Sequence, residues 1–517
     1  MYYFDRFPLR RIEGDVWTIS NGIINQKKGR IARKHFWNTE MVGREPEKTL
    51  LADCLTSTRP EFVAVYGRRR VGKTYLIKEF FQEQFSFYAT GVTGLNTRQQ
   101  LRVFNESLCQ YGSEEKTIPK DWFEAFSRLK WLLLSDHVKR NYQTGKKVIF
   151  LDELPWMDTA RSSFKSALDY FWNSWASTQN DLLLIVCGSA TSWIISNIVM
   201  DTGGFYNRIT KQIHLMPFTL YECEQLLLSN GVHFSLRQVF ECYMILGGIP
   251  YYLNYLKPQY SLAQNIDLLF FQENGPLRNE YDQLFRSLFK HPAHHLAIIE
   301  VLAGRRGGLT RTELLEQLDL PEGKELTKCL NELEQCGFIR KYTAFPLQKQ
   351  NSIYQLTDSL TLFYLTWLRN GKTESWLETI NSPAYYTWCG LAFERVCLLH
   401  SKQIKSKLGI SGISTHEYAW RSKKSSPGAQ IDLLIDRKDD VINLCEAKFS
   451  SGAYVIDAAD EANLLHKMET FRSETSTRKA LHLTMITLNG VANNSHKGIV
   501  TNEVTGEDLL RGYQDFT

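Results

Sequence analysis

The octapeptide GRRRVGKT at 67–74 restricts the fold of this chain more than any other feature. It fits the pattern GxxxxGK[ST] at every position and begins at the last residue of FVAVYG (62–67), a continuous apolar run typical of a buried strand. The residues after it, KTYLIKEFFQEQF, have the pattern of a helix. A strand, a glycine-rich turn and a helix in this order make a loop whose backbone N–H groups can surround phosphate oxygens. The segment therefore predicts a parallel α/β sheet with a phosphate-binding loop, the P-loop, at a strand end.

The P-loop residues have separate expected roles. Lys73 is expected to reach the β- and γ-phosphates of ATP, and Thr74 to offer its hydroxyl to Mg²⁺. The remaining expected nucleotide contacts are Gly67, Arg70, Val71, Gly72 and Tyr75. The predicted cofactors are thus ATP and Mg²⁺. A basic turn before an ordinary helix is the alternative, and the next motif argues against it.

A second buried strand, KVIFLDE (147–153), ends in two acids. Asp152 is expected to hold Mg²⁺, and Glu153 to polarise the water that attacks the γ-phosphate. Two acids at a strand end are common on protein surfaces, but beside a P-loop they indicate ATP hydrolysis. A third strand, DLLLIVCGS (181–189), ends in candidates for a polar sensor of the γ-phosphate, although such residues are also ordinary in turns: Ser189, Thr191 or Ser192.

Length and composition place the chain among folded, multidomain proteins. Its 517 residues exceed what one hydrophobic core usually holds. A hydrophobic fraction of 43% with a net charge of +5 excludes the disordered class and does not by itself indicate nucleic acid. The ten cysteines show no CxxC spacing and no neighbouring histidine cluster, so we expect reduced core thiols and no zinc site. Without a signal-like or membrane-length apolar run, the expected location is the cytoplasm, with no membrane contact.

The pattern along the chain predicts an α/β multidomain protein. The predicted parts are an N-terminal extension (1–37), a P-loop α/β core (38–217), a helical lid (218–279), a winged helix-turn-helix (280–370) and a second α/β domain (371–517). In the winged helix, side chains that could contact the phosphates and base edges of nucleic acid are Thr327, Lys328, Asn331, Arg340 and Lys341. Packing against protein explains the same segment equally well.

Carboxylates on a predicted C-terminal hairpin form a second candidate site. The strands QIDLLID and VINLCEAKF flank the turn RKDD. Asp432 and Glu446, on adjacent strands, could bind one Mg²⁺, and Lys448 could orient a nucleophile or offset charge. Glu394, on a helix near Leu391 to His400, could complete this cluster. The alternative is a half-exposed hairpin with an ordinary ion pair; Gln430 is a candidate auxiliary, and Lys467 is expected to be a solvated helix charge.

A series of motifs resembles the prokaryotic archaeal-type ATPases of the AAA+/STAND class, over roughly residues 38 to 370. The series is MVGREPE (41–47), the P-loop, the DE pair, the GS strand end, NRITKQIHLMPF (207–218) and LGGIPYYL (246–253). The resemblance implies that Gly43, Arg44 and Glu45 lie beside the adenine. It also implies that Arg208 contacts a γ-phosphate in cis or from a neighbouring subunit of a homo-oligomer. A surface charge on a basic strand is the alternative for Arg208.

The order Glu394, Asp432, Glu446-x-Lys448 resembles the PD-(D/E)XK nuclease superfamily, over roughly residues 385 to 490. Ile431 stands where the proline of that motif would be. The resemblance implies a restriction-endonuclease-like α/β domain in which these four residues cleave nucleic acid with Mg²⁺. The leading interpretation is an ATP-regulated enzyme that processes DNA. The alternatives are an ATP-dependent DNA-binding switch or scaffold that does not cleave, and an ATPase that acts on a protein partner.

Overall fold

The computed structural model describes residues 41–200, 205, 207–289, 291–318, 323–345, 352–369, 374–422 and 428–512. The predicted N-terminal extension, 1–37, lies outside this part. Among the described helices, none is both long and apolar enough to cross a bilayer. Residues 40–517 form one compact unit.

The first α/β part is built on five strands. They are β1 (Glu61–Tyr66), β2 (Phe87–Thr90), β3 (Lys147–Asp152), β4 (Leu182–Gly188) and β5 (Lys211–His214). Their order in the sheet is β2-β3-β4-β1-β5, and every pair is parallel. β3 and β4 are buried along their whole length, as continuous apolar runs require. The predicted parallel α/β core is therefore confirmed, and its strand ends meet at one edge.

In the described part of the chain, α-helices accompany this sheet. They are α1 (Glu45–Thr56), α2 (Lys73–Phe80), α3 (Thr97–Gln110), α4 (Trp122–Leu134), α5 (Leu154–Met157), α6 (Phe164–Ser174) and α7 (Thr191–Ile194). Aromatic side chains of α3, α4 and α6 pack together and against β1 and β2 in the main core. Trp122 lies at the centre of this group, in edge contact with Phe104 and Phe164. This core holds the sheet rigid beneath the strand ends.

The chain then becomes helical. The next elements are α8 (Leu220–Ser229), α9 (Leu236–Leu246), α10 (Pro250–Leu253), α11 (Leu262–Ile266) and α12 (Glu280–Leu288). Gly248, shortly before α10, is required by close packing, since a Cβ there would lie 1.9 Å from the carbonyl oxygen of Phe218. This contact fixes the helical segment against the sheet beside the P-loop.

A small three-stranded module follows. It contains α13 (Ala293–Ala303), β6 (Leu309–Thr310), α14 (Arg311–Gln317), α15 (Lys324–Gln335), β7 (Ile339–Thr343) and β8 (Ser352–Leu356). Its strands are antiparallel in the order β6-β8-β7. This arrangement is compatible with the predicted winged helix, which stays a prediction.

The last part is again α/β. It contains α16 (Ser359–Phe363), α17 (Trp376–Thr379), α18 (Pro383–Leu399), α19 (Ser401–Lys407), β9 (Thr415–Arg421), β10 (Gln430–Arg437), β11 (Val441–Lys448), α20 (Ala458–Thr475), β12 (Ala480–Thr487), β13 (Asn502–Val504) and α21 (Gly506–Leu509). The sheet order is β13-β12-β11-β10-β9. β9, β10 and β11 pair antiparallel, whereas β11, β12 and β13 pair parallel. The hairpin of β10 and β11 forms where the sequence predicts it; the nuclease-like identity and the domain boundaries stay predictions.

Candidate functional site

The P-loop connects the end of β1 to the start of α2. Gly67 has φ 147°, and a Cβ there would lie only 2.3 Å from the carbonyl oxygen of Leu215. Gly72, at the N-cap of α2, has φ 92°. Both positions therefore need glycine, one for close backbone approach and both for their dihedral angles.

Lys73 lies inside this loop with only 5% of its surface exposed. Its Nζ donates hydrogen bonds to the carbonyl oxygens of Gly67, at 2.8 Å, and Arg68, at 2.9 Å. Burial holds the pKa of Lys73 below its ordinary value. The ammonium is thus held at the loop, where phosphate oxygens can replace the carbonyl contacts.

The two acids of β3 have different environments. Asp152 is buried, accepts a hydrogen bond from the Thr74 hydroxyl at 2.9 Å, and burial raises its pKa. Glu153 has a left-handed backbone with φ 47°, and its Oε2 accepts from the backbone N–H of Ser189 at 3.2 Å and the hydroxyl at 2.9 Å. Thr74 and Asp152 form the pair of oxygen donors expected for Mg²⁺. Ser189 positions Glu153.

A cavity of about 540 Å³ opens over these groups. This volume falls within the range of small-ligand sites in proteins. Its wall includes the P-loop from Arg69 to Thr74, Tyr75, Glu153 and Ser189, together with apolar side chains that could cover a base: Met41, Val42, Phe218, Leu226 and Pro250. We call this the nucleotide cavity; its donor set and volume fit ATP with Mg²⁺.

The three sensor candidates separate in the structure. Ser189 lies in the wall of the nucleotide cavity, whereas Thr191 is fully buried at the start of α7. Ser192 faces a different cavity beside α15. Only Ser189 is therefore placed to act on a nucleotide.

The expected adenine-side residues also have distinct positions. Arg44 lies in the cavity wall, donates to the carbonyl oxygens of Met216 at 2.7 Å and Val71 at 3.0 Å, and stacks over Phe218. Gly43 contacts Glu222 so closely that a Cβ would lie 2.6 Å from its carboxylate. Glu45 pairs with Lys48 at 2.7 Å and is absent from the cavity wall. Arg44 thus links the P-loop to the segment before α8, and neither Gly43 nor Glu45 belongs to the cavity wall; their place beside the adenine stays a prediction.

Arg208 lies in an exposed turn before β5. Two residues later, the backbone N–H of Thr210 donates to the carbonyl oxygen of Phe62, near the start of β1. The P-loop begins at the other end of β1, roughly 16 Å away at about 3.3 Å per residue. A contact in cis is therefore incompatible with this position, because the turn and the P-loop lie at opposite edges of one parallel sheet. A contact in trans stays a prediction.

The P-loop arginines reach partners that the sequence does not reveal. Arg68 is 2% exposed and forms an ion pair with Asp358, which caps α16 by accepting from the backbone N–H of Thr361. Arg70 pairs with Glu280 of α12 at 2.5 Å. These partners lie more than 200 residues away in the sequence. The run of three arginines in the loop is the one sequence feature that indicates acidic partners for it.

The C-terminal acids divide into two groups. In the first, Arg306 donates from Nε to Glu394 at 2.8 Å, and its Nη2 lies 3.8 Å from Asp432. Gln430 also donates to Asp432, at 2.6 Å. No sequence pattern indicates Arg306, which comes from the turn between α13 and β6.

In the second group, Lys467 of α20 donates to Glu446 at 2.8 Å, and the Nζ of Lys448 lies 3.5 Å from the same carboxylate. Lys467 is therefore not the solvated charge that was expected. Lys448 also lines a cavity of about 600 Å³ that Glu394 and Arg306 share. Within the second group, Lys448 is therefore the residue that faces Glu394 and Arg306 of the first group.

The carboxylate oxygens of Glu394, Asp432 and Glu446 do not all lie within 4.8 Å of one another. The cause is a bulge in β10: Ile431 pairs with Trp420 and Leu434 with Tyr418, which leaves one extra residue in β10. Ile431 consequently packs on the α20 side, as Glu446 does, and Asp432 faces the other side of the sheet. The expected single magnesium site is not formed, and this arrangement of donors does not fit a shared Mg²⁺.

The predicted nucleic-acid contacts are also only partly accessible. Thr327, Lys328 and Asn331 of α15 line a cavity of about 650 Å³, here the α15 cavity, together with Ser192 and Ser196 of the ATPase side. Lys341 is exposed. Arg340 is half-buried, donates to Gln355 at 2.7 Å and stacks on Tyr342. Arg340 therefore belongs to the packing of the module.

Residues 41–256 match a family described as an ATPase domain predominantly from Archaea. An uncharacterized protein of Methanocaldococcus jannaschii is 25% identical over 370 residues, which cover 69% of this chain and 76% of that protein.

Among solved structures, the Walker-type ATPase of Pyrococcus abyssi aligns with 18% identity and a TM-score of 0.47, over 64% of this chain and 97% of that one. The ORC2 protein of Aeropyrum pernix aligns with 13% identity and a TM-score of 0.39, over 64% and 95%.

Proposed function

Because residues 41–256 match an ATPase domain, we propose that this protein binds ATP with Mg²⁺ in the nucleotide cavity and hydrolyses it. The bound nucleotide, ATP or ADP, then controls a C-terminal part that acts on nucleic acid. One observation carries the proposal. The buried ammonium of Lys73, the contact of Thr74 with Asp152, and the contact of Glu153 with Ser189 all lie at one edge of the same sheet. That edge is where α/β sheets bind nucleotides.

Each residue has a chemical role. Lys73 exchanges its carbonyl contacts for phosphate oxygens, and Thr74 and Asp152 hold Mg²⁺, which offsets the phosphate charge. Glu153 accepts a proton from water, and the Ser189 hydroxyl holds its carboxylate in place. The left-handed backbone of Glu153 adds to this positioning, because such strain is retained where a side chain must point in one direction.

Arg208 supplies charge to a neighbouring subunit in the same proposal. It is exposed and lies at the sheet edge opposite its own P-loop, so a second copy is needed for any phosphate contact. The active form is therefore a homo-oligomer.

The nucleic-acid role is supported by the charge of the α15 cavity. Arg311, Lys324 and Lys328 line it, and the hydroxyl and amide of Thr327 and Asn331 add hydrogen-bonding groups. Cationic and polar groups on one face are the features that bind a phosphate backbone, with DNA as the expected partner.

Cleavage is the finer part of the proposal. As they lie here, Glu394, Asp432, Glu446 and Lys448 do not share a Mg²⁺ site. Cleavage by them would need a conformation in which Arg306 has left the first two acids and Asp432 lies on the same face of the sheet as Glu446. Binding without cleavage is the second candidate, favoured by the basic partner that each acid already has. An ATPase acting on a protein partner is the third; it predicts no binding to nucleic acid even at low salt.

The test uses plasmid and linear DNA with Mg²⁺, with and without ATP. We expect cutting by the wild type and loss of cutting in Glu446→Ala and Lys448→Ala. Asp436→Ala is the matched control, since this carboxylate also lies on β10 in an ion pair, 2.6 Å from Lys479, outside the proposed site. Arg306→Ala should cut faster and depend less on ATP.

Equal cutting by the wild type and both site variants would remove the nuclease assignment. ATP-sensitive DNA binding without cutting by any protein would support the second candidate. A Lys73→Met arm then shows whether either behaviour depends on the nucleotide cavity.

A further inference from the structure

Two histidines, a cysteine and two glutamates meet between α13 and α15. Glu325, Cys329 and Glu332 have the spacing i, i+4 and i+7, so they share the face of α15 that packs on α13. His294 and His295 lie in the first turn of α13. Ligand atoms of His295, Cys329 and Glu332 all lie within 4.8 Å of one another, as do those of His294, Glu325 and Cys329.

The inner three residues are already arranged. The imidazole Nε2 of His295 lies 2.8 Å from the Glu332 carboxylate. Cys329 is fully buried and His295 is 4% exposed, so neither is a solvated surface group. The His295 ring is held by stacking on Phe289, with 3.8 Å between ring centroids.

The polar groups of this cluster are poorly satisfied as they stand. His295 Nδ1 is buried and has no hydrogen-bond partner among the described residues. Among the residues that the structure describes, the Cys329 thiol has one hydrogen-bond acceptor, the Glu325 carboxylate at 3.9 Å. Buried polar groups usually have partners, and a bound ion is one explanation when they do not.

We propose that His295, Cys329 and Glu332 bind one Zn²⁺ ion between α13 and α15. The cysteine binds as a thiolate and its proton passes to solvent, while His295 supplies a ring nitrogen and Glu332 a carboxylate oxygen. The fourth position is filled by water or by Glu325, which lies beside the thiol. A mixed nitrogen, sulfur and oxygen set suits Zn²⁺ and disfavours Mg²⁺ and Ca²⁺, which prefer oxygen alone.

The ion would fix the position of α15. This helix carries Lys328 and Asn331, and Glu332 itself lines the α15 cavity. Binding of Zn²⁺ would therefore hold one wall of that cavity in place, independently of whether the cavity binds nucleic acid.

The test is metal binding by the full chain after EDTA treatment and dialysis. After Zn²⁺ is added back and the excess is removed, we expect about one Zn²⁺ per chain by elemental mass spectrometry. After Co²⁺ is added instead, we expect a thiolate-to-cobalt charge-transfer band. That band reports a sulfur ligand, and the Cys329→Ser variant shows whether Cys329 supplies it. Cys329→Ser should lose the band and weaken zinc binding by at least about 10²-fold.

Cys336→Ser is the matched control, because Cys336 is also buried, caps the same helix and lies outside the cluster. It should keep both signals. Glu332→Gln, at a more exposed position, covers the case in which Cys329→Ser fails to fold. A folded wild type without the cobalt band, or a band that survives in Cys329→Ser, overturns the zinc site.

Discussion

At the scale of single residues, this protein holds several charged groups with few contacts each. Lys73 is held by two carbonyl oxygens, Asp152 by Thr74 and its neighbour's backbone N–H, and Glu153 by Ser189. Buried charges are costly without partners, so each contact maintains a charge where a nucleotide would use it. Loss of one group should therefore change one step of the ATP cycle rather than the fold.

Lys73 and Glu153 should separate nucleotide binding from hydrolysis. Lys73→Met removes the charge that meets the phosphates, so ATP affinity should fall. Glu153→Gln keeps the shape and the Ser189 contact but removes the base, so ATP should still bind while the rate of phosphate release falls by on the order of 10² or more. Equilibrium binding of a fluorescent ATP analogue, with phosphate release measured in parallel, checks both.

Normal hydrolysis by Glu153→Gln would show that another group activates the water. Lys78→Met serves as the control, since Lys78 is a lysine of the same helix as Lys73 and lies outside the wall of the nucleotide cavity.

At the scale of secondary-structure elements, one extra residue decides the C-terminal site. Without the bulge, the register that pairs Leu434 with Leu444 would continue to place Asp432 opposite Glu446 on one face. The bulge sends Asp432 to the α18 side, toward Arg306 and Glu394. Asp432 then lies near Arg306, whereas Glu446 pairs with Lys467. The metal cluster that the sequence order suggests is therefore divided between two faces of the sheet.

The end of α18 also contacts α8 through His400. Its Nε2 accepts from the backbone N–H of Leu220, and its Nδ1 donates to the carbonyl oxygen of Val396, which requires the neutral imidazole. Burial lowers the pKa of His400 to about 4 from an ordinary 6.5. The unfolded chain therefore binds a proton between pH 6.5 and 4 that the folded chain excludes.

Stability from neutral His400 should be complete above pH 6.5 and fall as the pH drops toward 4, by about 3 kcal/mol at most. In His400→Gln, the decline of Tm over this range should be shallower than in the wild type. His416→Gln, at an exposed histidine of β9, should keep the wild-type slope. Parallel slopes in the wild type and His400→Gln would refute this role. Thermal unfolding at a series of pH values measures how Tm changes with pH in each protein.

At the scale of the whole molecule, the P-loop is tied to parts of the chain that follow the ATPase domain. Arg68 reaches Asp358 at the start of α16, and Arg70 reaches Glu280 of α12. His400 forms a third connection, from α18 to the helix that carries Glu222. A nucleotide that moves the P-loop would therefore act directly on these later elements, which gives the proposed control a physical route.

The Arg68 pair should show strong coupling in a double-mutant cycle. Both side chains are less than 10% exposed, so Arg68→Met leaves Asp358 buried and unpaired, at a cost of about 3–5 kcal/mol. Asp358→Asn keeps the cap of α16 but removes the charge. The double variant should lose much less stability than the two single losses together. Chemical unfolding measures the cycle; additive losses would mean that the pair is not coupled.

The ATPase half of this protein could be recognised from the sequence because its chemistry is local. The P-loop is eight consecutive residues, and the strands before and after it are continuous apolar runs, so their positions follow from rules that act within a few residues. Local patterns likewise predict the strand that ends in Asp152 and Glu153, and the hairpin of β10 and β11.

Other features depended on contacts between distant parts of the chain. The bulge that separates Asp432 from Glu446, the arginine partners Asp358 and Glu280, and the meeting of His295 with Cys329 leave no spacing that a sequence pattern can detect. A one-residue shift in strand register changes which face a side chain occupies, and packing alone decides which distant charge fills the space beside it. The sequence therefore determined that the chain has a nucleotide site, whereas only the tertiary structure decided how its C-terminal charges are combined.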